Sequence, residues 1–206
     1  MTKPTLYGFP QSSYVWTARA ALAIKGIEYD FKPIAPGEHK TPEFLGRHPY
    51  GKVPALANPD LFETSAIVRW ADAAGSGPAL FPKDPLAAAH VEQWISVHSS
   101  YIYKQVVLDW AFKYIFAKGE PDMAAIEAAR PPIAHSLAAV AEGMSGTYLV
   151  GDEVSAADLF IGPMLFVLSN FDDGKALLAA QPKCQALVGA LAKNAGFMSG
   201  APPRPS

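Results

Sequence analysis

The chain has 206 residues, enough for one large domain or two small ones with a buried core. Hydrophobic residues make up 50% of it and charged residues 17%, a composition that excludes an intrinsically disordered chain. The formal net charge of -2 at pH 7 argues against a general affinity for nucleic acid or for anionic membranes.

The cysteine usage and the apolar runs indicate a cytoplasmic protein. The chain has a single cysteine, Cys184, which excludes an intramolecular disulfide framework and favours a reducing compartment. The N-terminus has no apolar segment typical of a signal peptide, and no run approaches the ~18 apolar residues that a membrane span needs. The histidines show no paired spacing typical of metal ligands, so we predict no metal site.

The first part of the chain is predicted to alternate strands and helices. Residues 5–9 are β-prone and end at Pro10, which predicts a strand and its exit. Residues 14–25 lie between two serines and Gly26, which are helix start and stop signals. Residues 27–34 carry apolar side chains at alternating positions, as in a strand. Together these elements predict a parallel, right-handed β-α-β unit.

An apolar segment interrupted by a proline follows, and it has the chemistry of a peptide-binding edge. Pro54 comes directly after Val53 in residues 53–57, where a trans proline would spoil a strand. A cis bond would turn the chain and leave the N–H and C=O groups of Val53 free to pair with an extended ligand. Two strands are predicted here, at residues 53–57 and at residues 61–62.

A helix predicted over residues 64–74 begins directly after Glu63. The free N–H groups and the macrodipole of a helix N-terminus can bind a carboxylate, and Thr64 would lie at that terminus. Glu63 adds one negative charge beside it. An anion site, a carboxylate and a backbone edge together suit a small zwitterionic peptide. The alternative is an ordinary strand–turn–helix with no ligand.

The composition changes after the first 75 residues. Residues 75–85 hold three prolines and two glycines, so we predict a first domain at 1–75, a linker at 76–85 and a second domain at 86–206. Four helical stretches are predicted in the second domain: residues 86–117, 121–143, 155–169 and 177–195, the last as one or two helices. The fold class is therefore α/β plus all-α, a βαβ-ββα domain followed by an all-helical bundle.

Four motifs in register carry a family resemblance. Three resemble the phi class of cytosolic glutathione S-transferases: Gly37-Glu38-His39-Lys40-x-Pro42-x-Phe44-Leu45, Pro49-Tyr50-Gly51-Lys52-Val53-Pro54-Ala55-Leu56 and Leu61-Phe62-Glu63-Thr64-Ser65-Ala66-Ile67. The fourth is more similar to the zeta class: Ser12-Ser13-Tyr14-Val15-Trp16 with Ala21-Leu22-Ala23-x-Lys25-Gly26-Ile27. The zeta class has a cysteine where this chain has Tyr14, and this departure weakens the case for zeta-type isomerase chemistry.

The resemblance implies a thioredoxin-like first domain that binds glutathione and a helical domain that lines the pocket of a second substrate. It implies that Pro54 is cis, that Val53 pairs with the cysteinyl part of glutathione, and that Glu63 and Thr64 hold the γ-glutamyl end. It places the glycyl carboxylate among three potentially cationic side chains: His39, Lys40 and Lys52. It also implies a homodimer, with no metal and with glutathione as co-substrate or cofactor.

Ser12 is our candidate for the catalytic hydroxyl, and Ser13 is its competitor. A hydroxyl at the start of the first helix can donate a hydrogen bond to a sulfur, where the helix dipole favours an anion. Ser13 could do the same, or it could be a plain N-cap.

Three functions remain open on these residues. The first is conjugation of glutathione to a hydrophobic electrophile, and the second is glutathione-dependent isomerisation, dehalogenation or ether cleavage. The third is a non-catalytic binder of hydrophobic ligands, which needs only a pocket. The predicted wall for the second substrate is the first helix of the bundle, where one or two aromatic side chains are expected to line the pocket and the others to be core residues. The candidate side chains are Tyr101, Tyr103, Lys104, Trp110, Phe112 and Tyr114.

Overall fold

The structure, a computed structural model, describes residues 2–202 and divides into two compact units. One unit contains residues up to Leu80 together with the end of the chain from Asn194, and the other runs from Phe81 to Lys193. The first is a sheet with helices and the second is all-helical, so the predicted α/β plus all-α class is confirmed.

The first unit contains a four-stranded mixed sheet. The strands are β1 (Thr5–Gly8), β2 (Asp30–Pro33), β3 (Ala55–Ala57) and β4 (Leu61–Phe62). They lie in the order β2-β1-β3-β4, with β1 parallel to β2 and antiparallel to β3, and with β3 antiparallel to β4. The helices of this unit are α1 (Ser13–Ile24), α2 (Pro42–Leu45), α3 (Thr64–Ala74) and the late α10 (Ala195–Ser199), with a 3₁₀ turn at Glu38–Lys40.

Strand β2 is shorter than predicted because the start of the predicted strand is hydrogen-bonded to the end of helix α1. The N–H of Ile27 donates to the carbonyl of Leu22 at 2.9 Å, which closes the last turn of the helix. The sheet ladder begins only where the N–H of Asp30 donates to the carbonyl of Pro4 at 2.9 Å. The predicted strand at residues 27–34 is therefore β2 plus the helix exit.

Part of the predicted linker at residues 76–85 is bound to the first unit by Lys25 at the end of α1. The Lys25 side chain is only 4% exposed. Its ammonium donates to the carbonyls of Gly77 and Pro78 at 2.7 and 2.8 Å and lies 3.1 Å from a carboxylate oxygen of Asp72. The same Asp72 oxygen accepts from the N–H of Leu80 at 2.8 Å. A buried ammonium needs acceptors for its protons, and here it has three.

The end of the described chain also packs on α1, whereas the sequence analysis assigned it to the second domain at 86–206. The indole N–H of Trp16 donates to the carbonyl of Phe197 at 2.7 Å, and the two rings lie 4.9 Å apart. Arg19 donates to the carbonyl of Ser199 at 3.1 Å. Helix α10 is therefore part of the first unit.

The regular secondary structure of the second unit is helical. It contains α4 (Pro85–Val97), π-helical stretches at His98–Ile102 and Lys104–Ala111, α5 (Phe112–Ile115), α6 (Met123–Gly143), α7 (Ala156–Leu168), α8 (Asp172–Ala179) and α9 (Pro182–Lys193). The core of this unit includes Trp110 and Phe160. Cys184 is also buried there, its thiol lies 3.5 Å from the carbonyl of Leu137, and burial raises its pKa to about 11. Within residues 2–202, the helices are all too short or too polar to cross a membrane.

Candidate functional site

Two serines lie at the N-terminus of α1. Ser12 is the N-cap residue: its half-buried Oγ accepts a hydrogen bond from the N–H of Val15 at 3.4 Å. A hydroxyl that accepts in this way still has its own proton to donate. Ser13 begins the helix, and its carbonyl accepts from the hydroxyl of Thr17 at 3.1 Å. The first turn of α1 carries no acidic residue, so no side chain of that turn offsets the positive end of the dipole.

The Val53–Pro54 peptide bond is cis, as the sequence predicts. Val53 is half-buried and packs against the small core of Ile34, Phe44 and Ala55. Strand β3 starts at Ala55 instead of at Val53, and no backbone hydrogen bond of Val53 occurs within residues 2–202. The N–H and C=O of Val53 are thus available to an extended ligand.

Glu63 has a strained backbone at the N-terminus of α3. Its φ of 70° and ψ of 121° lie where side-chain-bearing residues are seldom found, a geometry that typically costs about 1–3 kcal/mol and concentrates at functional sites. Its carbonyl accepts from the N–H of Ile67 at 3.1 Å, but its carboxylate is exposed and does not cap the helix. Thr64, 5% exposed, is the first helical residue. An anion at this terminus would meet N–H groups that no side chain caps.

Three potentially cationic residues, His39, Lys40 and Lys52, form a cationic cluster beside Gly51. The Lys40 ammonium donates to the carbonyl of Gly51 at 3.1 Å. Gly51 has a φ of +55°, and a Cβ there would lie 2.6 Å from the carbonyl oxygen of His39, so only glycine allows this close approach. Burial lowers the pKa of His39, and the charges of Lys40 and Lys52 add to that lowering.

Phe9, which the sequence analysis did not single out, connects these parts. Its carbonyl accepts from the N–H of Ser12 at 3.0 Å. Its ring meets the ring of His39 edge-on at 5.2 Å and packs against the same small core as Val53. Phe9 therefore contacts the residue of the candidate hydroxyl through its backbone, and His39 and the core beside Val53 through its side chain.

His48 is the second residue that the sequence analysis missed as part of the site. It is 2% exposed, and its Nδ1 is buried with no hydrogen-bond partner among residues 2–202. Burial lowers its pKa, and the charges of Lys52 and Lys40 add to that shift. The charge of Glu63, followed by the backbone of His48 itself, opposes it. The signal was present in the sequence, because His48 directly precedes the motif that contains Lys52.

The predicted aromatic wall of the second unit is only partly available. Trp110 is fully buried, its indole N–H donates to Asp173 at 3.0 Å, and the hydroxyl of Tyr114 donates to the same carboxylate oxygen at 2.9 Å. Trp110 is therefore a core residue, the role that the sequence predicts for most of these aromatic side chains, and Tyr114 is bound to the same carboxylate. Tyr101 is 60% exposed, and Lys104 pairs with Asp109 at 2.6 Å. Within residues 2–202, no cluster of His, Cys, Asp and Glu side chains is placed to hold a metal ion.

Comparison with known proteins identifies the family. The family described as "Glutathione S-transferase, N-terminal domain" matches residues 3–73, and "Glutathione S-transferase, C-terminal domain" matches residues 103–193. The chain is 30% identical to "Glutathione S-transferase 3" of Zea mays over 202 residues, which cover 93% of this chain and 90% of the maize protein. It is 31% identical to "Probable maleylacetoacetate isomerase 1" of Drosophila melanogaster over 183 residues, 80% of this chain and 68% of the fly protein.

A solved structure agrees with these matches. The crystal structure of the theta class glutathione S-transferase from Xanthomonas axonopodis pv. citri with glutathione bound superimposes with a TM-score of 0.84 at 25% identity, and the match covers 99% of each chain. The protein belongs to the glutathione S-transferase family. Its relatives include both phi-class transferases of plants and maleylacetoacetate isomerases, the two classes that its motifs resemble.

Proposed function

We propose that the protein is a glutathione transferase that activates the glutathione thiol for attack on a hydrophobic electrophile. The thiol loses its proton to solvent, the resulting thiolate forms a carbon–sulfur bond, and the leaving group departs with the bonding electron pair. With a chloronitrobenzene as electrophile, the leaving group is chloride. The protein supplies stabilisation of the thiolate and a fixed position for the peptide.

The observation that carries this proposal is the Ser12 hydroxyl at the N-terminus of α1. A thiol with a pKa of ~8.5 is only a few per cent ionised at pH 7, and lowering that pKa by two units needs roughly 2.7 kcal/mol. A charge-assisted hydrogen bond contributes about 1.5–3 kcal/mol, and a helix terminus adds up to about 1 kcal/mol. The hydroxyl and the helix terminus are together sufficient, and Ser13 at the same terminus is the alternative donor.

We propose that glutathione binds along the first unit as an extended peptide. Val53 would pair with its cysteinyl part through the backbone beside the cis Pro54, as the free N–H and C=O groups allow. Glu63 would meet the α-ammonium of the γ-glutamyl end, and Thr64 would lie beside its carboxylate. The glycyl carboxylate would contact the cationic cluster of His39, Lys40 and Lys52.

Retention on immobilised glutathione, followed by conjugation to a chloronitrobenzene, tests the proposal. Retention with elution by free glutathione, and with turnover that consumes the thiol, is the expected result. Retention without turnover would favour a non-catalytic binder of hydrophobic ligands or a glutathione-dependent isomerase, dehalogenase or ether-cleaving enzyme. Failure of both steps would refute the proposal.

A second candidate is glutathione-dependent isomerisation, which the similarity to the fly protein supports. An isomerase returns glutathione unchanged, so the free thiol concentration stays constant while the substrate is converted. A transferase consumes one thiol for each product molecule. Thiol titration during turnover of a maleylacetoacetate analogue and of a chloronitrobenzene therefore separates the two reactions. Dehalogenation and ether cleavage would be recognised by their organic products, the dehalogenated compound and the free alcohol, because chloride release also accompanies conjugation of a chloronitrobenzene.

We propose detoxification of hydrophobic electrophiles in the cytoplasm as the physiological role. The buried, single Cys184 suits a reducing compartment, and the low net charge gives no attraction to nucleic acid or membranes. The second unit would contribute the acceptor contacts, for which Tyr101, Tyr103 and Phe112 remain the candidates on its first long helical stretch.

We predict a homodimer, as the family resemblance implies. Sedimentation equilibrium at micromolar protein should give about twice the chain mass of 22.0 kDa. A species of a single chain mass over that concentration range would contradict the prediction. Activity measured across the same dilution would then show whether one chain is sufficient for turnover.

A further inference from the structure

His48 is buried in the first unit and connects both ends of the proposed glutathione site. Its N–H donates to the carbonyl of Phe44 at 2.9 Å, at the end of α2. Its carbonyl accepts from the N–H of Gly51 at 2.8 Å, which closes the turn before Lys52. Its ring lies 5.1 Å from the ring of Phe62, the residue that precedes Glu63. The backbone of His48 therefore fixes the cationic end, while its side chain packs beside the acidic end.

Packing alone does not explain a histidine at this place. The buried Nδ1 has no hydrogen-bond partner among residues 2–202, and an unpaired buried polar atom is unfavourable. A phenylalanine would bury a similar ring without that penalty. What the imidazole adds is a group that can take up a proton close to Glu63, Lys40 and Lys52, the charged groups whose fields act on it. The ring of Tyr50 also lies near, 6.4 Å from the imidazole ring.

We propose that His48 is a positioning residue of the glutathione site: its neutral, buried imidazole packs on Phe62 and thereby holds Glu63 in register with the turn that carries Gly51 and Lys52. This inference rests on the proposed function. A proton on His48 would be repelled by the charges of Lys40 and Lys52. The protonated imidazole would be attracted to the Glu63 carboxylate, and it would compete there with the ammonium of glutathione. Acidification should therefore weaken glutathione binding through His48.

Protonation of His39 should change the affinity for glutathione in the opposite direction to protonation of His48. His39 lies in the cationic cluster, where a proton adds attraction for the glycyl carboxylate. Protonation of His39 thus strengthens binding and protonation of His48 weakens it, both below the ordinary histidine pKa of 6.5. The contribution of His39 has to be removed before that of His48 can be measured.

The experiment is calorimetric titration with S-methylglutathione, which has no thiol to ionise. In a His39→Gln background, we expect the dissociation constant to rise about fivefold between about pH 7.5 and about pH 5.5. In the double variant His39→Gln/His48→Phe, the rise should be less than about twofold over that interval. Equal pH dependence in the two proteins would overturn the inference.

A second comparison tests positioning at constant pH. In His48→Ala, the loss of the ring should weaken S-methylglutathione binding about fivefold at neutral pH, and His48→Phe should recover most of that loss. Affinity of His48→Ala equal to that of the unsubstituted protein would overturn the inference, as would a phenylalanine variant no better than the alanine one. If the unsubstituted protein binds no S-methylglutathione, the proposed function fails as well, and this outcome is distinct from binding with unchanged pH dependence.

Discussion

Replacement of Ser12 by alanine is expected to raise the pKa of the thiol of bound glutathione. It should lower turnover about 30-fold at a pH below the pKa of that thiol in the unsubstituted protein. The hydroxyl donates a hydrogen bond that is charge-assisted only when the sulfur is ionised, so its loss removes about 2 kcal/mol from the thiolate and little from the thiol. The affinity for glutathione should change little, because the peptide contacts lie elsewhere. The measurement is the ultraviolet absorbance of the thiolate in the complex, titrated against pH.

Two further variants separate catalysis from helix capping. Because the Ser12 side chain also accepts from the N–H of Val15, its loss should cost about 1 kcal/mol of stability. Ser12→Thr keeps both the cap and the donor, so it should retain most of the turnover and an unshifted thiol pKa. Ser13→Ala is the matched control one residue along the helix. An unchanged thiol pKa in Ser12→Ala, with a raised one in Ser13→Ala, would assign the catalytic role to Ser13.

Local signals explain why parts of the first unit could be predicted. Helix α3 occupies Thr64–Ala74, the predicted range, because Gly75 ends its pattern and the short strand β4 delimits its start. The cis Val53–Pro54 bond was expected because a trans proline does not fit an apolar strand. The cationic cluster could be expected from its residue types, since charges of one sign near a binding loop indicate an anion.

Contacts between distant residues explain what could not be predicted. The packing of Phe197 on Trp16 joins residues 181 positions apart, and no local pattern indicates it. The π-helical stretches between His98 and Ala111 differ from an α-helix in backbone hydrogen bonding, which leaves almost no trace in side-chain periodicity. The position of His48 beside the motif with Lys52 was visible in the sequence, but its ring contact with Phe62 was not.

Glu63→Gln is expected to raise the glutathione dissociation constant about tenfold or more, near 1.4 kcal/mol. The substitution keeps the shape of the side chain and removes the charge that would meet the ligand ammonium. The carboxylate is exposed in the free protein, so the ion pair gains its strength only as the bound peptide covers it. Lys40→Ala should cost less, because His39 and Lys52 remain near the glycyl carboxylate. Calorimetric titration of both variants compares the two ends of the site.

Glu63→Gly separates the charge of this residue from its backbone conformation. Glycine adopts a φ of 70° without the strain of about 1–3 kcal/mol that a side chain brings. Its greater conformational freedom, however, stabilises the unfolded chain by about 0.5–1 kcal/mol. We therefore expect the free energy of unfolding to rise by about 1 kcal/mol in Glu63→Gly and to stay constant in Glu63→Gln. Both variants should lose glutathione affinity, the glycine variant at least as much. A larger loss in Lys40→Ala than in Glu63→Gln would show that the peptide lies along the first unit in another orientation.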